Sequence, residues 1–445
     1  MAGRKEMDLT TGRPFGSLLR FAIPVILGNL FQLFYTLADS VIVGKTLGAE
    51  SLAAVGSTSI IIYFVLCFIN GFTGGFGICL GQRCGARDER GMRKSIAVSM
   101  ILSVIFAVVL TTLCCVLSHQ IIRWMKIPAD IAEEAYAYMF VVLLGTGATV
   151  FYNMISNILR ALGDSKTPLY FLVFSSVLNI FLDILFILPL GMGVAGAAWA
   201  TILSQFLSAV LSLIVGMRRF EVLHLEKDDF ANLGNAMTVH LKTGFPMGFQ
   251  MSVMCIGQLA MQMVVNSLGT AAVAGYTAAS KADQLSVLVN NAMMTAISNY
   301  VAQNFGAGKK ERIQQGVRAS LIQTETFNLL MCAGILLLRH PIVELFMSGP
   351  TKEIYHYSDV YLTIVAPFYV ILGLLAVYRT AIQSMQNGWA PFAACMIELV
   401  MRISATVGLV GMLGYTSVCI ASPMAWFGAC ALLIPCYYRM MKAWK

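Results

Sequence analysis

The chain has 445 residues, of which 58% are hydrophobic and only 12% are charged. Soluble domains usually carry about 25% charged residues, so this composition excludes an ordinary soluble protein and indicates a membrane protein. The net charge of +8 is scattered over short segments, which argues against a nucleic-acid-binding surface, where basic residues are concentrated. The eleven cysteines lie mostly within apolar stretches and form no CxxC pair. We interpret them as reduced, small apolar side chains.

Long apolar stretches divide the chain into twelve predicted transmembrane helices. A hydrocarbon core about 30 Å thick needs about 20 helical residues. In chain order the segments that meet this requirement are 15–43, 51–81, 94–118, 131–158, 167–188, 194–217, 238–267, 271–304, 314–338, 355–384, 390–411 and 416–438. The sequence therefore predicts an all-α integral membrane protein.

Basic residues are concentrated in alternate loops. One set of loops and the C-terminal tail contain Arg83, Arg87, Arg90, Arg93, Lys94, Arg160, Lys166, Arg218, Arg219, Lys227, Lys309, Lys310, Arg312, Arg439, Lys442 and Lys445. The opposite loops contain few basic residues apart from Arg123, Lys126, Arg339 and Lys352. Because cytoplasmic loops are enriched in Lys and Arg, the pattern predicts that both termini face the cytoplasm, in a plasma membrane of the bacterial inner-membrane type. The polar N-terminus shows no cleavage site of a signal peptide.

The chain contains an internal repeat. The segment "GQRCGARDERGMRKSIAVS" from Gly81 aligns with "AQNFGAGKKERIQQGVRAS" from Ala302, at an offset of 221. Further along, Pro168 aligns with Pro391 at an offset of 223. Each copy contains six helices, so both copies enter the membrane in the same direction, as in parallel repeats of carriers. We predict an N-terminal lobe (1–217), a cytoplasmic linker (218–237) and a C-terminal lobe (238–445). A duplicated bundle favours a transporter over an ion channel or a membrane enzyme.

Polar side chains form stripes on four helices of the first repeat. At about 100° per residue, the residues of each stripe share one helix face. The stripes consist of Asn29, Gln32, Thr36 and Asp39; Asn153, Ser156, Asn157 and Arg160; Ser176, Asn179 and Asp183; and Thr201, Ser204, Gln205 and Ser208. Such faces contact protein or water and not lipid. For the Ser and Thr residues, hydrogen bonds between helices are the simpler explanation.

Asp39 and Asp183 require a further explanation. A carboxylate in hydrocarbon costs several kcal/mol, and packing alone can be achieved with Ser or Gly. Two carboxylates on neighbouring helices repel each other unless a proton or cation lies between them. Oxygen atoms of carboxylate, amide and hydroxyl groups suit a small, hard cation. The pattern therefore predicts a proton or cation site near Asp39, Asn179 and Asp183.

The second repeat lacks this acidic pair. Asp39 aligns with Met261 and Asp183 aligns with Thr406, whereas Asn70 keeps a counterpart in Asn291. The second repeat has charges of its own, namely Lys281, Asp283, Glu398 and Arg402. Glu398 and Arg402 are four residues apart and can pair on one helix face in a structural role. Lys281 and Asp283 cannot face each other, and Asp283, which shares a face with Asn290, is a candidate for substrate contact.

Other motifs carry less weight. Pro24 lies about four helical turns before Asp39 and removes a backbone hydrogen bond, so it is either a hinge or an ordinary membrane-helix kink. "GMGVAG" at 191–196 has no preceding strand and does not predict a dinucleotide site. "GKT" at 44–46 has Asp39 where a phosphate loop needs glycine. We therefore expect no cofactor, with H⁺ or Na⁺ as the driving ion.

The sequence resembles the multidrug and toxic compound extrusion (MATE) family over nearly its full length. The resemblance rests on "FAIPVILGNLFQLFYTLADSVIVGKTLG", "LRALGDSKTPLYF", "LNIFLDILFI" and "GVAGAAWATILSQ". It implies a V-shaped pair of six-helix bundles that exports cationic, amphipathic compounds in exchange for H⁺ or Na⁺. The cation ligands of such members correspond here to Asp39, Asn179, Asp183 and Thr201, with Asn153 lining the same pocket. The seventh and tenth helices lack the carboxylates of another branch, so coupling in the first repeat is favoured.

Several positions are candidates for the substrate cavity: Gln32, Tyr35, Asn70, Asn157, Gln258, Gln262, Asp283 and Asn290. We expect small-molecule substrates, contact with membrane lipid, no nucleic-acid partner and a monomer. A flippase for a lipid-linked head group is the alternative within the same superfamily. An ion channel is the alternative from another class. The residues do not specify the substrate or distinguish H⁺ from Na⁺.

Overall fold

The computed structural model describes residues 8–125, 127, 130–346 and 351–444. Lys126 and Lys445, two of the basic loop and tail residues named above, lie outside these ranges. The chain forms two compact units. The first unit contains Asp8 and Ile23–Gly248, and the second contains Leu9–Ala22 and residues 249–444. The chain thus passes from one unit to the other within two helices, next to Pro24 and Pro246. The lobes at 1–217 and 238–445 and the linker between them stay a prediction.

Helices make up nearly all of the described chain. The first repeat contains α1 (Pro14–Thr46), α2 (Ala49–Gly85), α3 (Glu89–Trp124), α4 (Ala132–Leu144), α5 (Thr146–Ala161), α6 (Lys166–Ile187) and α7 (Gly193–Arg219). The second contains α8 (Gly234–Ser267), α9 (Thr270–Gly306), α10 (Lys310–Phe346), α11 (Lys352–Val365), α12 (Tyr369–Ser384), α13 (Trp389–Gly408), α14 (Val410–Leu413) and α15 (Tyr415–Ala443). Short 3₁₀ turns cover Glu221–Leu223, Lys227–Phe230 and Ala366–Phe368.

These helices correspond to the twelve predicted segments. Ten spans in the described ranges are long and apolar enough to cross a membrane, and one of them joins α11 and α12 through the 3₁₀ turn. The pair α4 and α5, bent by 43° at its break, forms an eleventh span. The twelfth segment is α9, which has 37 residues and is more polar than the others because it carries Lys281, Asp283 and several amides.

The apolar surfaces of the helices face outward. In α3 only 17% of the most apolar stretch is buried inside the protein, and in α2 the fraction is also 17%. Large side chains such as Val116, Leu337 and Met412 are at least 74% exposed. Exposed apolar area of this extent is unfavourable in water. The arrangement is that of helices surrounded by lipid, which confirms the all-α membrane fold.

The backbone repeats as the sequence does. Four positions with positive φ in the first repeat, Gly48, Arg87, Gly163 and Gly191, have counterparts at Gly269, Gly308, Gln386 and Gly414. These pairs are separated by the offsets of 221 and 223 found in the sequence. Each position lies where one helix ends or the next begins, so the duplication preserves the turns that set helix direction.

Small and aromatic residues hold the first unit together. The α2 helix approaches the first part of α8 closely, because a Cβ atom at Gly75 would lie 2.6 Å from the Cα atom of Gly244. Phe72 packs with its ring centroid 4.5 Å from that of Phe106 and 5.1 Å from that of Phe245. Glycine pairs of this kind let membrane helices approach closely, so that van der Waals packing replaces the hydrophobic effect.

In the second unit, the segment before α1 is held by the facing ends of α9 and α10. The backbone N–H of Leu9 donates to Gln303 Oε1 at 3.1 Å, and the Leu9 carbonyl accepts from Asn304 Nδ2 at 3.0 Å. Arg312 donates to the carbonyl oxygen of Thr11 at 3.0 Å. These bonds fix the entry of the chain into the membrane.

Candidate functional site

A capped turn sets the start of α6, the helix that carries Asn179 and Asp183. Gly163 has a φ of 91°, a conformation that favours glycine. The carboxylate of Asp164 then accepts from the backbone N–H of Thr167 at 2.9 Å, which satisfies one of the free donors at the helix start. Arg219, at the end of α7, donates to the same carboxylate at 3.0 Å. The motif "LGDSKTP" therefore anchors α6 to α7.

The structure brings Asp39 of α1 next to Asp183 of α6. The two carboxyl groups are close enough to interact electrostatically. Asp183 is 0% exposed and belongs to the buried stripe Ser176, Asn179, Asp183 and Ile187, whose spacing is that of one helix face. Two ionised carboxylates cannot donate to each other. They repel each other, and a proton or another cation between them would remove that repulsion.

Asn179 and Thr201 complete this group. Asn179 is 1% exposed and donates from Nδ2 to Thr201 Oγ1 across α6 and α7 at 3.3 Å. The Thr201 hydroxyl donates to the carbonyl oxygen of Ala197 at 3.1 Å, which leaves its oxygen available as an acceptor. Four residues proposed as cation ligands are thus linked by contacts between α1, α6 and α7.

The oxygen atoms of this group suit a hard cation. Asp39 Oδ1, Asn179 Oδ1 and both carboxylate oxygens of Asp183 are buried and have no hydrogen-bond donor. Buried polar atoms are almost always paired in folded proteins, so a group of acceptors of this kind is chemically suited to a positively charged partner. Within the described ranges, no three His, Cys, Asp or Glu side chains are placed to hold a metal ion together. The donor set is one of mixed oxygens, suited to H⁺ or Na⁺.

Asn153, the fifth residue predicted at the cation-binding site, lies on α5 and is half-buried. Its side-chain amide donates to the Thr149 carbonyl at 2.9 Å, one turn earlier. Thr149 in turn donates to Gln205 Oε1 on α7 at 2.9 Å. No hydrogen bond described in the structure joins Asn153 to Asp39 or Asp183. Its role as a lining residue stays a prediction.

Two residues near Asp39 or Tyr35 were not among the predicted site residues. The ring of Tyr138 on α4 is within electrostatic reach of Asp39, Asp183 and Tyr35. Gln205 makes a side-chain contact with Tyr35. The stripe on α7 contained Gln205 and could have identified it. Tyr138 belongs to no polar stripe in the sequence, and its position near the acidic pair depends on how α4 packs against the other helices.

The other cavity candidates of the first unit have different environments. Gln32 and Asn70 are exposed and Tyr35 is half-buried. Asn157 donates to Thr73 Oγ1 on α2 at 3.2 Å, so part of its polarity serves helix packing. Pro24, the predicted hinge, lies within α1, one residue after the chain enters the first unit.

In the second unit, Gln258 is exposed and Gln262 donates to Asn266 Oδ1 at 2.8 Å on the same helix. Asp283 accepts from the Tyr361 hydroxyl at 3.3 Å, while its Oδ1 atom is buried without a donor. Lys281 is exposed. Asn290 is 4% exposed and exchanges hydrogen bonds with Asn328 on α10. This pairing gives Asn290 a structural role, and contact with substrate stays a prediction.

The expected ion pair between Glu398 and Arg402 is wrong. Glu398 forms its salt bridge with Arg379 of α12, and no salt bridge to Arg402 is found within the described ranges. The physical reason is that Glu398 faces the neighbouring helix, so a guanidinium group from that helix replaces the one four residues along its own. Arg402 is buried beside Gly257, where an added Cβ would lie 3.2 Å from its Nη1 atom. It is also within electrostatic reach of Asp283 and Tyr361.

Comparisons with known proteins match this architecture. The family model MatE matches residues 24–185 and 246–407, one copy on each repeat. The probable multidrug resistance protein YpnP of Bacillus subtilis (strain 168) is 31% identical over 455 residues, covering 99% of this chain and 98% of its own length. A crystal structure of MATE in complex with MaL6 superimposes with a TM-score of 0.91 at 26% identity, covering 99% of both chains. A MOP superfamily transporter from Pyrococcus furiosus, whose reversed pocket polarity suggested a different function, has the same score and identity and covers 100% of this chain and 99% of its own.

Proposed function

Because the chain belongs to the MatE family, we propose that it is a secondary active antiporter that exports cationic, amphipathic compounds in exchange for H⁺ or Na⁺. The coupling ion binds at Asp39, Asn179, Asp183 and Thr201. The chain acts as a transporter and not as an enzyme, in the plasma membrane, with both termini on the cytoplasmic side. No nucleotide-binding motif is present in the sequence, so the driving force is an ion gradient.

The observation that carries this proposal is the contact between Asp39 and Asp183, with four buried oxygen atoms that lack a donor. In hydrocarbon an uncompensated carboxylate is costly, so the group gains free energy when it binds a proton or Na⁺. The same negative charge attracts a cationic substrate. Binding of the ion and binding of the substrate therefore oppose each other electrostatically, which is the basis of exchange.

Conformational coupling follows from the position of Asp39 on α1. The helix contains Pro24, which removes one backbone hydrogen bond and allows bending. We propose that binding of the ion to Asp39 and Asp183 changes the preferred bend of α1. This change would switch the substrate site between access from one side of the membrane and access from the other. A ligand shifts such an equilibrium only by its differential affinity for the two states.

The test uses purified protein in liposomes loaded with a fluorescent lipophilic cation, under an imposed pH gradient or Na⁺ gradient. We expect dye movement with one of the two gradients, and its loss to the level of empty liposomes in Asp39→Asn and Asp183→Asn. Asp228→Asn, an exposed residue of the inter-repeat segment, is the matched control and retains transport. Unchanged coupling in both site variants would refute the proposal.

The same assay separates the alternative functions. Dye movement that follows its own gradient and ignores H⁺ and Na⁺ would indicate a channel. Absence of movement of dye and ion alike would indicate a head-group flippase, to be examined with a labelled lipid-linked substrate.

A further inference from the structure

Glu325 is a buried carboxyl group to which the cation site of the first unit assigns no role. It lies near the middle of the apolar span Lys310–Glu344 of α10. Both of its carboxylate oxygens are inaccessible to solvent and have no hydrogen-bond donor among the residues that the structure describes. No salt bridge to Glu325 is found in the ranges that the structure describes. The residue thus combines a formal charge, a membrane position and the absence of a partner.

The surroundings of Glu325 are built from α10 and α12. A Cβ atom at Gly373 would lie 2.5 Å from both Glu325 Oε1 and Asn328 Nδ2. Gly373 therefore leaves the space that the carboxyl group and the amide share. Asn328 is 0% exposed and already donates to the Tyr369 carbonyl at 2.9 Å. Its Oδ1 atom accepts from Asn290 at 2.9 Å.

The buried arginines of the second unit have other carboxylates near them. Arg379 forms the salt bridge with Glu398, and Arg402 lies within electrostatic reach of Asp283. The elements that pack against α10 are α9, α11 and α12, and their titratable or charged side chains, together with one thiol of α15, are Tyr276, Lys281, Asp283, Tyr300, Lys352, Glu353, Tyr355, His356, Tyr357, Asp359, Tyr361, Tyr369, Tyr378, Arg379 and Cys430. Of these only Cys430 is within electrostatic reach of Glu325, and its thiol supplies no positive charge.

We propose that Glu325 binds a proton and forms a second proton-binding site, in the second unit, built independently of Asp39 and Asp183. An ionised carboxylate without a partner in hydrocarbon is costly, whereas the protonated acid carries no charge. A proton is favoured over Na⁺, because a metal ion needs several oxygen ligands. Here the adjacent side chain presents the N–H donors of Asn328.

The protonation state of Glu325 affects helix packing through Asn328. When Glu325 loses its proton, it becomes a strong acceptor for the neighbouring Asn328 amide. The bonds of Asn328 to Tyr369 and Asn290 then compete with a bond to Glu325. Because these three partners lie on α9, α10 and the start of α12, proton release loosens the contact between those helices.

The test is infrared spectroscopy of the purified full-length protein in lipid nanodiscs at neutral pH. We expect a carbonyl stretching band of a protonated carboxylic acid that is lost in Glu325→Gln and retained in Glu344→Gln. Glu344 is the matched control because it is an exposed acid on the same helix. In Gly373→Ala, where the carboxyl group is kept but crowded, the band shifts. A band that is unchanged in Glu325→Gln and Gly373→Ala would overturn the proposal.

A second measurement on the unmodified chain removes any dependence on variant folding. A membrane-permeant carbodiimide adds to protonated carboxyl groups, the acid proton passing to a nitrogen atom of the reagent and the carboxyl oxygen bonding to its central carbon. We expect mass spectrometry to find Glu325 modified and Glu344 unmodified. Modification of Asp183 without Glu325 would contradict the proposal. Neither readout involves transport, so failure here and failure of the proposed antiport are distinguishable.

Discussion

The two units share a backbone plan but differ in their buried charges. Turns with positive φ recur at matching positions, such as Gly48 and Gly269. In the first unit, by contrast, Asp39 and Asp183 face each other without a basic partner, while in the second unit Glu398 is paired with Arg379. Helix directions and turns were retained after duplication, while the interior polar residues diverged. The first interior therefore holds an acidic pair, and the second holds an internal ion pair beside the separate carboxyl group of Glu325.

The largest expected effect concerns the ion pair of the second unit. Glu398 and Arg379 are both at most 3% exposed, so Glu398→Gln leaves an uncompensated guanidinium group in the interior. We expect the free energy of unfolding to fall by about 3–5 kcal/mol, measured by denaturant titration in detergent micelles. The double variant Glu398→Gln, Arg379→Met should recover most of that loss. Equal destabilisation in the single and double variants would show that the pair is not coupled.

The equivalent substitution in the first unit should behave differently. Asp183→Asn removes a buried acid that has no hydrogen-bond donor within the described part of the chain and relieves repulsion from Asp39. We expect no loss of unfolding free energy and a gain of up to about 1 kcal/mol at neutral pH. At low pH, where the acid is protonated and resembles Asn, the difference disappears. If Asp183→Asn lowered the free energy of unfolding as much as Glu398→Gln does, the buried acids of the two units would not differ in the way described.

The smallest effect concerns the duplicated turns. Gly163 and Gln386 occupy matching positions with φ of 91° and 64°, a conformation that costs a non-glycine residue about 1 kcal/mol. Gln386→Gly should therefore raise the unfolding free energy by up to about 1 kcal/mol, and Gly163→Gln should lower it by a similar amount. Thermal unfolding in micelles measures both. Shifts of the same sign would show that the turns are not equivalent.

The sequence predicted the fold better than the interior contacts. The offsets of 221 and 223 were readable because duplication preserved turn residues, and apolar segment length follows from the bilayer. The stripe on α6 placed Asn179 and Asp183 together because three- and four-residue spacing defines a helix face. The partner of Glu398 was not predictable in this way, since spacing along one helix says nothing about which neighbouring helix supplies a charge. Tyr138 was missed for the same reason, whereas Glu325 is an acid within the predicted segment 314–338 and could have been identified from the sequence.

The N-terminal segment has a consequence for how the protein is made. Residues Leu9 to Thr11 belong to the second unit and bond to partners such as Gln303, which lies 294 positions later in the chain. At a synthesis rate of about 5–20 residues per second, these residues are made about 15–60 s before their partners. The segment before α1 can therefore take its place in the second unit only after α9 has been synthesised.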